Sequence, residues 1–191
     1  MRRPIAAAAC TVFAFMTPGC GRERIDPPDT TRPAVPAGIV PAAFPQAGLF
    51  FDRPENWPFQ PGRPPLVASA SSGTATVAVW RYLRSEPLPE GDAALETAQK
   101  ALEDAARARD RTFVVAEAQR LEVDGAPAIQ LLGTESVAGS KRSVRSTHMY
   151  AKGAEVVIDA YAPEAEFPRV DREVFSPIVE SLRIDPPGGG P

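Results

Sequence analysis

The sequence predicts an α+β domain in which helices flank an antiparallel β-sheet of about six or seven strands. Three observations lead to this prediction. Residues 74–83 alternate between two faces with a period of two, which is typical of a half-buried strand. Residues 93–109 instead repeat apolar side chains at helical spacing. Residues 112–162 contain four strand-like runs separated by tight-turn signals, which predicts an antiparallel meander.

Ahead of the helix, short strands are predicted at residues 48–52, 66–70 and 74–83. Pro54 ends the first strand, and a proline-rich loop follows at residues 55–65. We expect Asp92 to cap the helix at residues 93–109, because a short acidic side chain can accept hydrogen bonds from free helix amides. The narrow stripe of alanine and leucine on this helix predicts a close approach to the sheet.

After the helix, the pattern predicts strands, tight turns and one more helix. The strands lie at residues 112–118 with 120–123 as an extension, 129–137, 142–152 and 155–162. Glycines at positions 125, 139 and 153 mark the turns between them. The last helix begins near Phe167-Pro168, because proline is favoured in the first helical turn, and its apolar face continues to Leu182. Pro177 removes one backbone hydrogen bond and is expected to kink this helix or split it at Ser176.

The start of the chain has the pattern of an export signal. Arg2 and Arg3 precede a mostly apolar run, residues 5–16, which is too short to span a bilayer. Small and turn-forming residues then lead to Cys20. The pattern resembles a bacterial lipoprotein signal, in which residues 1–19 are removed and the Cys20 thiol is diacylated. We therefore expect an exported protein held on the cell membrane by an N-terminal diacylglycerol. An ordinary secretory signal with an incidental cysteine is the alternative.

Cysteine content and charge limit the remaining possibilities. Cys10 is the only other cysteine and lies in the segment to be removed, so Cys20 would have no disulfide partner. The chain has a net charge of −3, and loss of Arg2 and Arg3 makes it more acidic. An acidic protein gains nothing from phosphate backbones, so no nucleic-acid partner is expected.

Proline content predicts the domain organisation. The sequence has 22 prolines, and residues 20–46 combine several of them with few large apolar side chains. We expect this segment to be a semi-rigid tether after the lipidated cysteine, because it cannot bury enough surface to offset its ordering entropy. A proline-motif ligand is the alternative interpretation. The folded domain is expected at residues 47–184, and a disordered tail at residues 185–191.

Several short motifs resemble the PsbP-like fold. They are GLFFDRP at residues 48–54 with Trp57 after it, VDGAPA at residues 123–128, the strand at residues 156–163, and FSPIVESLRI at residues 175–184. Their order and spacing resemble a group that includes bacterial lipoproteins of the LpqN and DcrB type, over about residues 47–184. The resemblance implies a compact α/β/α sandwich used as a binding module, and it supplies no catalytic residues.

His148 is the single histidine and lies in a predicted strand with Ser146 on the same face. A metal site would need further ligands, so neither a metal nor another cofactor is expected. Because triads assemble in space, a Ser–His–acid hydrolase around His148 stays open, although residues 133–139 lack the Gly-x-Ser-x-Gly elbow. We expect His148 to be a structural or surface residue. Asp159 lies in the last strand, so either that face of the sheet is partly wet or Asp159 has a partner, and a salt bridge is expected rather than a catalytic role.

Trp57 and Phe59 are the candidate partner-binding residues, and both stand in the proline-rich loop. One interpretation is that Trp57 packs over the edge of the core, as the resemblance suggests. The other is an exposed aromatic loop that contacts a partner, because aromatic residues are enriched among interface anchors.

Three functional hypotheses follow. The favoured one is a membrane-anchored, non-catalytic lipoprotein of the bacterial cell envelope that acts as a binding or accessory module for an envelope protein or an apolar ligand. The second is a carrier of a lipid or other apolar ligand, which requires a large apolar pocket. The third is a hydrolase, which requires His148 beside a serine and a carboxylate.

Overall fold

Two antiparallel sheets and a small number of helices make up the fold in the computed structural model, which describes residues 30–188. The strands are β1 (Ile39–Phe44), β2 (Leu49–Pro54), β3 (Gln60–Pro61), β4 (Leu66–Ser72), β5 (Ala75–Leu83), β6 (Val114–Val123), β7 (Ala126–Val137), β8 (Ser140–Ala151), β9 (Ala154–Pro163) and β10 (Arg183–Ile184). The helices are α1 (Gly91–Arg109), α2 (Phe167–Val170) and α3 (Ser176–Glu180), with a π-helical turn at Asp171–Phe175 between the last two. Among residues 30–188, no helix is long and apolar enough to cross a membrane.

The main sheet confirms the predicted fold class. Its strand order is β3-β4-β5-β9-β8-β7-β6, and strands β6 to β9 form the predicted meander. Each meander hairpin turns on two residues with positive φ: Asp124-Gly125, Ala138-Gly139 and Lys152-Gly153. Turns of this mirror-image type match the right-handed twist of the flanking strands and fix the pairing register. A second, three-stranded sheet has the order β1-β2-β10 and was not predicted.

The main sheet buries both of its faces in different ways. On one face, Val79 and Ile158 belong to a large apolar core that also contains Phe175 and Ile178 of the C-terminal helical region. On the other face, Leu95 of α1 packs against Ile129, Leu131 and Tyr150. Helix α1 packs mainly on β6 and β7, so β5 and β9 are less covered on that side. This arrangement is the predicted helix–sheet–helix sandwich.

The expected tether is shorter than the sequence suggested. Residues 39–44 form β1, which pairs with β2 along its whole length, and Ala42 is buried in the core. Pro41 is tolerated because β1 is an edge strand, where one side makes no ladder hydrogen bonds. Farther upstream, Pro33 is buried and its carbonyl accepts a 2.9 Å hydrogen bond from Arg169 Nη2. The assignment of residues 30–46 to a free tether is therefore wrong, and residues 20–29 lie outside the described part.

The start of the C-terminal tail also contacts the domain. The Asp185 amide donates to the Gly48 carbonyl at 2.8 Å, and the Gly188 amide donates to the Pro45 carbonyl at 3.3 Å. These bonds correct the expectation of disorder for residues 185–188. Residues 189–191 lie outside the described range.

The two helical predictions have different outcomes. Helix α1 begins at Gly91, and Glu90 precedes it without a side-chain cap, so the predicted cap at Asp92 is wrong. Asp92 lies in the first turn, where its negative charge is favourable beside the helix dipole. The predicted split at Ser176 is confirmed: α3 starts there, and the Ser176 amide bonds to Asp171 through the π-helical turn. Pro177 has no amide hydrogen to continue the α-helical pattern.

Candidate functional site

The aromatic loop is part of the core. Trp57 has no exposed surface, and Phe59 is 8% exposed. The Trp57 ring lies edge-on to Phe175 at 6.3 Å between centroids, and Phe59 lies 5.0 Å from Phe51. The interpretation of Trp57 and Phe59 as exposed partner-binding residues is therefore wrong, whereas core packing of Trp57 is observed. Cys20, the predicted lipidation site, lies outside the described residues.

His148 is surrounded by hydrogen-bonding partners on the face of the sheet that carries α1. Its Nε2 lies 3.0 Å from Ser146 Oγ, and its Nδ1 lies 2.7 Å from Glu155 Oε1. Ser146 Oγ is also 2.5 Å from Asp159 Oδ1, directly across the β8–β9 pair. Glu155 completes the chain by pairing with Arg84. We call Arg84, Glu155, His148, Ser146 and Asp159 the His148 network.

The hydrogen-bond directions in the His148 network follow from donor and acceptor chemistry. An ionised Asp159 only accepts, so the single hydroxyl proton of Ser146 is donated to it. Ser146 Oγ then accepts from His148 Nε2, while Nδ1 donates to Glu155. Both ring nitrogens of His148 therefore have a hydrogen-bond partner within the network. Asp159 was expected to have a salt-bridge partner, but the partner observed is the Ser146 hydroxyl.

Glu155 is held in its ionised form. Burial alone raises the pKa of this carboxyl, but hydrogen bonds from His148 and Arg84 outweigh burial and leave the pKa below its ordinary value. His148 and Arg84 therefore flank one carboxylate at this end of the network. At the other end, Ser146 connects His148 to the carboxylate of Asp159.

The His148 network has the connectivity of a Ser–His–acid triad but a different direction for the serine proton. In a triad the serine proton is directed at the imidazole, whereas here it is directed at Asp159. Ser146 also lies in the central strand β8, between Leu131 of β7 and Asp159 of β9. The backbone of β8 at this position is therefore paired with a neighbouring strand on both sides.

The other face of the sheet contains an apolar cavity of about 450 Å³, within the range of roughly 300–1,000 Å³ typical of small-molecule sites. It lies between the turn at residues 43–47 and the segment at residues 61–67, and five of its lining residues are prolines. Arg81 and Gln46 are the polar side chains of the lining. Leu83 also lines it and is 74% exposed, so the cavity reaches the surface. We call it the Arg81 cavity.

Arg81 is only 7% exposed and only partly hydrogen-bonded. Its Nη1 donates to the carbonyls of Ala47 and Asp185, the latter at 3.0 Å. Its Nε and Nη2 are shielded from solvent and make no hydrogen bond to any of residues 30–188. Burial lowers the pKa of this guanidinium, since the charged form is poorly solvated there. A buried cation with two unused donors is unfavourable until an anion satisfies it.

Two sequence signals pointed to these residues. Arg81 has the same strand parity as Val77 and Val79, so a charged residue stands at a core-facing position of β5. Ser146 shares its parity with His148, and the two-residue turn of the β8–β9 hairpin brings Glu155 opposite Tyr150, next to His148. The Arg81 signal led to no site prediction, whereas the shared face of Ser146 and His148 supported the hydrolase alternative. Among residues 30–188, no group of three or more His, Cys, Asp and Glu side chains is placed to hold a metal ion.

These features define a class of protein: an α+β sandwich with an antiparallel meander and helices on both faces of its main sheet. Solved structures with this architecture show that the chain has the PsbP-like fold. The cyanobacterial PsbP protein CyanoP of Synechocystis is 16% identical over 78% of this chain and 94% of its own, with a TM-score of 0.58. LpqN of Mycobacterium tuberculosis, described as involved in cell envelope biogenesis, is 19% identical over 78% of this chain and 91% of its own, with a TM-score of 0.57.

A more distant solved structure is the Ran-binding protein Mog1p of Saccharomyces cerevisiae. It is 7% identical over 78% of this chain and 96% of its own, with a TM-score of 0.51. No protein-family model matches the sequence, and no curated protein is significantly similar to it. None of the three names describes an enzyme. At these identities the likeness establishes the fold, and function has to be argued from the residues.

Proposed function

We propose that this chain is a lipid-anchored, non-catalytic binding module of the bacterial cell envelope, and that it binds an apolar ligand in the Arg81 cavity. The observation that carries the proposal is the lining of that cavity. It combines ligand-sized volume and apolar walls with one buried cation, and it contains no nucleophile, carboxylate or histidine. Such a site can hold a molecule but has no group to transform it.

The envelope location is supported by the N-terminal sequence. A signal of the lipoprotein type ending at Cys20 would place the domain outside the cytoplasm on two acyl chains, which give stable attachment where one chain gives only marginal binding. LpqN, which shares the fold, is described as involved in cell envelope biogenesis. Cys20→Ala is expected to release the protein from washed membranes or leave it unprocessed. Retention of Cys20→Ala on membranes at unchanged size would exclude the lipid as the anchor.

A neutral apolar dye tests the binding site directly. The chain starting at Cys20, without its lipid, should bind Nile red with a rise in fluorescence. Ala43→Trp should reduce this binding, because Ala43 is exposed at the surface and lines the Arg81 cavity, so a larger side chain narrows it. Ala108→Trp makes the same change on an exposed turn of α1 and should bind the dye normally. Failure of the wild-type chain to bind, or equal binding by Ala43→Trp, would exclude the cavity as the ligand site.

A hydrolase centred on Ser146 is the second candidate, and the Ser146–His148–Glu155 connectivity favours it. Its test is covalent labelling by a serine-directed fluorophosphonate, followed by mass spectrometry of the intact protein. Labelling that disappears in Ser146→Ala would support the hydrolase and contradict a purely binding role. We expect no label on Ser146, because its hydroxyl donates its hydrogen bond to Asp159 rather than to His148.

A further inference from the structure

We propose that the ligand of the Arg81 cavity is an apolar chain ending in a carboxylate, and that Nε and Nη2 of Arg81 bind the two carboxylate oxygens. This inference rests on the proposed binding function and adds the chemical class of the ligand. It follows from the orientation of the unused donors, the missing counter-ion and the composition of the cavity walls.

The unused donors of Arg81 form one recognition edge. In a guanidinium group, the Nε hydrogen and one Nη2 hydrogen are parallel, and together they match the two oxygens of a carboxylate. The remaining nitrogen, Nη1, is already bonded to the carbonyls of Ala47 and Asp185. Those bonds fix one side of the group and leave the bidentate edge without a partner. The arrangement fits a planar anion with two oxygens.

The charge of Arg81 also lacks a partner. Among the described residues, no acidic side chain forms an ion pair with it, whereas Arg142, Arg145 and Arg169 each have one. The two protein acceptors of Arg81 are neutral carbonyl oxygens. A ligand carboxylate would therefore supply the missing negative charge as well as the missing acceptors.

The walls of the Arg81 cavity favour a hydrocarbon chain behind this head group. Phe44, Leu66 and Val67 provide its larger apolar surfaces, and prolines provide much of the rest. Gln46 is the other polar side chain in the lining. A phosphate carries more oxygens than these two side chains can satisfy, whereas a carboxylate is saturated by the Arg81 edge. The composition therefore selects a fatty-acid-like molecule over a phosphorylated one.

Access to the recognition edge requires a small movement. Nε and Nη2 are closed to solvent, although Arg81 lines the cavity. Because Nη1 stays bonded to the carbonyls of Ala47 and Asp185, binding includes an outward shift of the residues that cover the Nε–Nη2 edge.

The experiment compares three ligands that share one chain and differ in their head group. Dodecanoate, dodecanol and dodecylammonium displace Nile red from the unlipidated chain below their micelle concentrations. We expect dodecanoate to bind about tenfold or more tightly than dodecanol, since hydrogen bonds to charged groups are the stronger kind, and dodecylammonium to bind weakest. Arg81→Met should bring dodecanoate to the affinity of dodecanol. Arg63→Met removes an exposed arginine from the neighbouring loop and should preserve the preference.

The outcomes separate the inference from the proposed function. If dye binds and dodecanol displaces it as well as dodecanoate, the cavity is a ligand site and the carboxylate assignment is wrong. A preference for dodecanoate that survives in Arg81→Met also overturns the assignment. If no apolar molecule binds at all, the proposed function itself fails.

A spectroscopic measurement on the wild-type protein covers the case in which Arg81→Met does not fold. Dodecanoate labelled with ¹³C at its carboxyl carbon is titrated with acid in the bound state. Pairing with Arg81 should keep the bound carboxylate ionised at a lower pH than the free acid. Protonation of the bound carboxyl at a higher pH than the free acid would show an apolar site without a cation, and would overturn the proposal.

Discussion

The two faces of the main sheet differ in whether their buried charged side chains have partners. On the α1 face, the His148 network links Arg84, Glu155, His148, Ser146 and Asp159 so that each group has a partner and opposite charges are neighbours. On the opposite face, Arg81 has neutral acceptors for one nitrogen and no partner for the other two. The comparison teaches that residues connected like a catalytic triad can form a network in which every polar side chain already has a hydrogen-bond partner. The incomplete group is the better indicator of a ligand, because its missing partner has to come from elsewhere.

Substitution in the apolar core, which lies on the same face of the sheet as Arg81, should have the largest effect on stability. Trp57→Ala should destabilise the domain by about 3–5 kcal/mol, because it removes a large, fully buried side chain that contacts Phe175 and leaves a cavity. Urea unfolding followed by circular dichroism measures this loss, and Trp80 remains in the variant as a fluorescence reporter of the same transition. A loss below about 1 kcal/mol would show that Trp57 does not pack in the core as observed.

Removal of Glu155 should have the next largest effect. Glu155→Ala leaves His148 and Arg84 without their shared carboxylate, and we expect a loss of about 2 kcal/mol, moderated by the partial exposure of Arg84. Glu122→Ala removes an exposed carboxylate from β6 and is the matched control, with an effect within about 0.5 kcal/mol. Equal losses in the two variants would mean that the His148 network contributes no stability.

Removal of Arg81 should cost much less than removal of Glu155. Arg81→Met loses the hydrogen bonds of Nη1 but also removes a buried cation without a counter-ion, so the free energy of unfolding should stay within about 1 kcal/mol of wild type. Denaturant unfolding of the ligand-free protein measures it. A loss as large as that of Glu155→Ala would show that Arg81 is as well satisfied as the His148 network, and would remove the contrast between the two faces.

The smallest expected effect is the pH dependence of the Glu155 contribution. The groups facing this carboxylate are His148, Arg84 and Tyr150. Burial raises its pKa, but hydrogen bonds from His148 and Arg84 outweigh burial and keep the folded pKa below the ordinary value. Its stabilisation is therefore present above the unfolded pKa, about 4.3, and is lost as the pH falls through the lower folded pKa. The stability gap between wild type and Glu155→Gln should shrink from pH 6 to pH 3 in unfolding curves. A gap that stays constant or widens would contradict this assignment.

The parts of the fold that the sequence predicted are those with local signals. The β6–β9 meander follows from turn glycines next to alternating runs, and α1 follows from a stripe of small apolar residues. Strand β1 could not be found in this way, because its sequence, IVPAAF, is short and contains proline. It forms because β2 provides a partner ladder, and that pairing is a property of the folded chain.

The candidate sites also divide into features with a local sequence signal and features that depend on the folded chain. Ser146 and His148 could be placed on one face by strand parity, but the direction of the Ser146 proton depends on Asp159 from the neighbouring strand. Arg81 was visible in the sequence as a charge among buried valines. The sequence could not show that its Nε and Nη2 lack partners. That conclusion requires the structure, in which Nη1 donates to the carbonyls of Ala47 and Asp185, which are distant from Arg81 in sequence.

The docking of Pro33 limits how far the domain can travel from a membrane. If Cys20 is the anchor, as proposed, the chain between it and Pro33 can span at most about 45 Å even when fully extended. A free tether ending at residue 46 would have reached about twice as far. With that anchor, the shorter connection would confine the domain to a thin layer above the bilayer. A partner would then have to reach that layer, and a ligand leaving the membrane would meet the domain close to the bilayer surface.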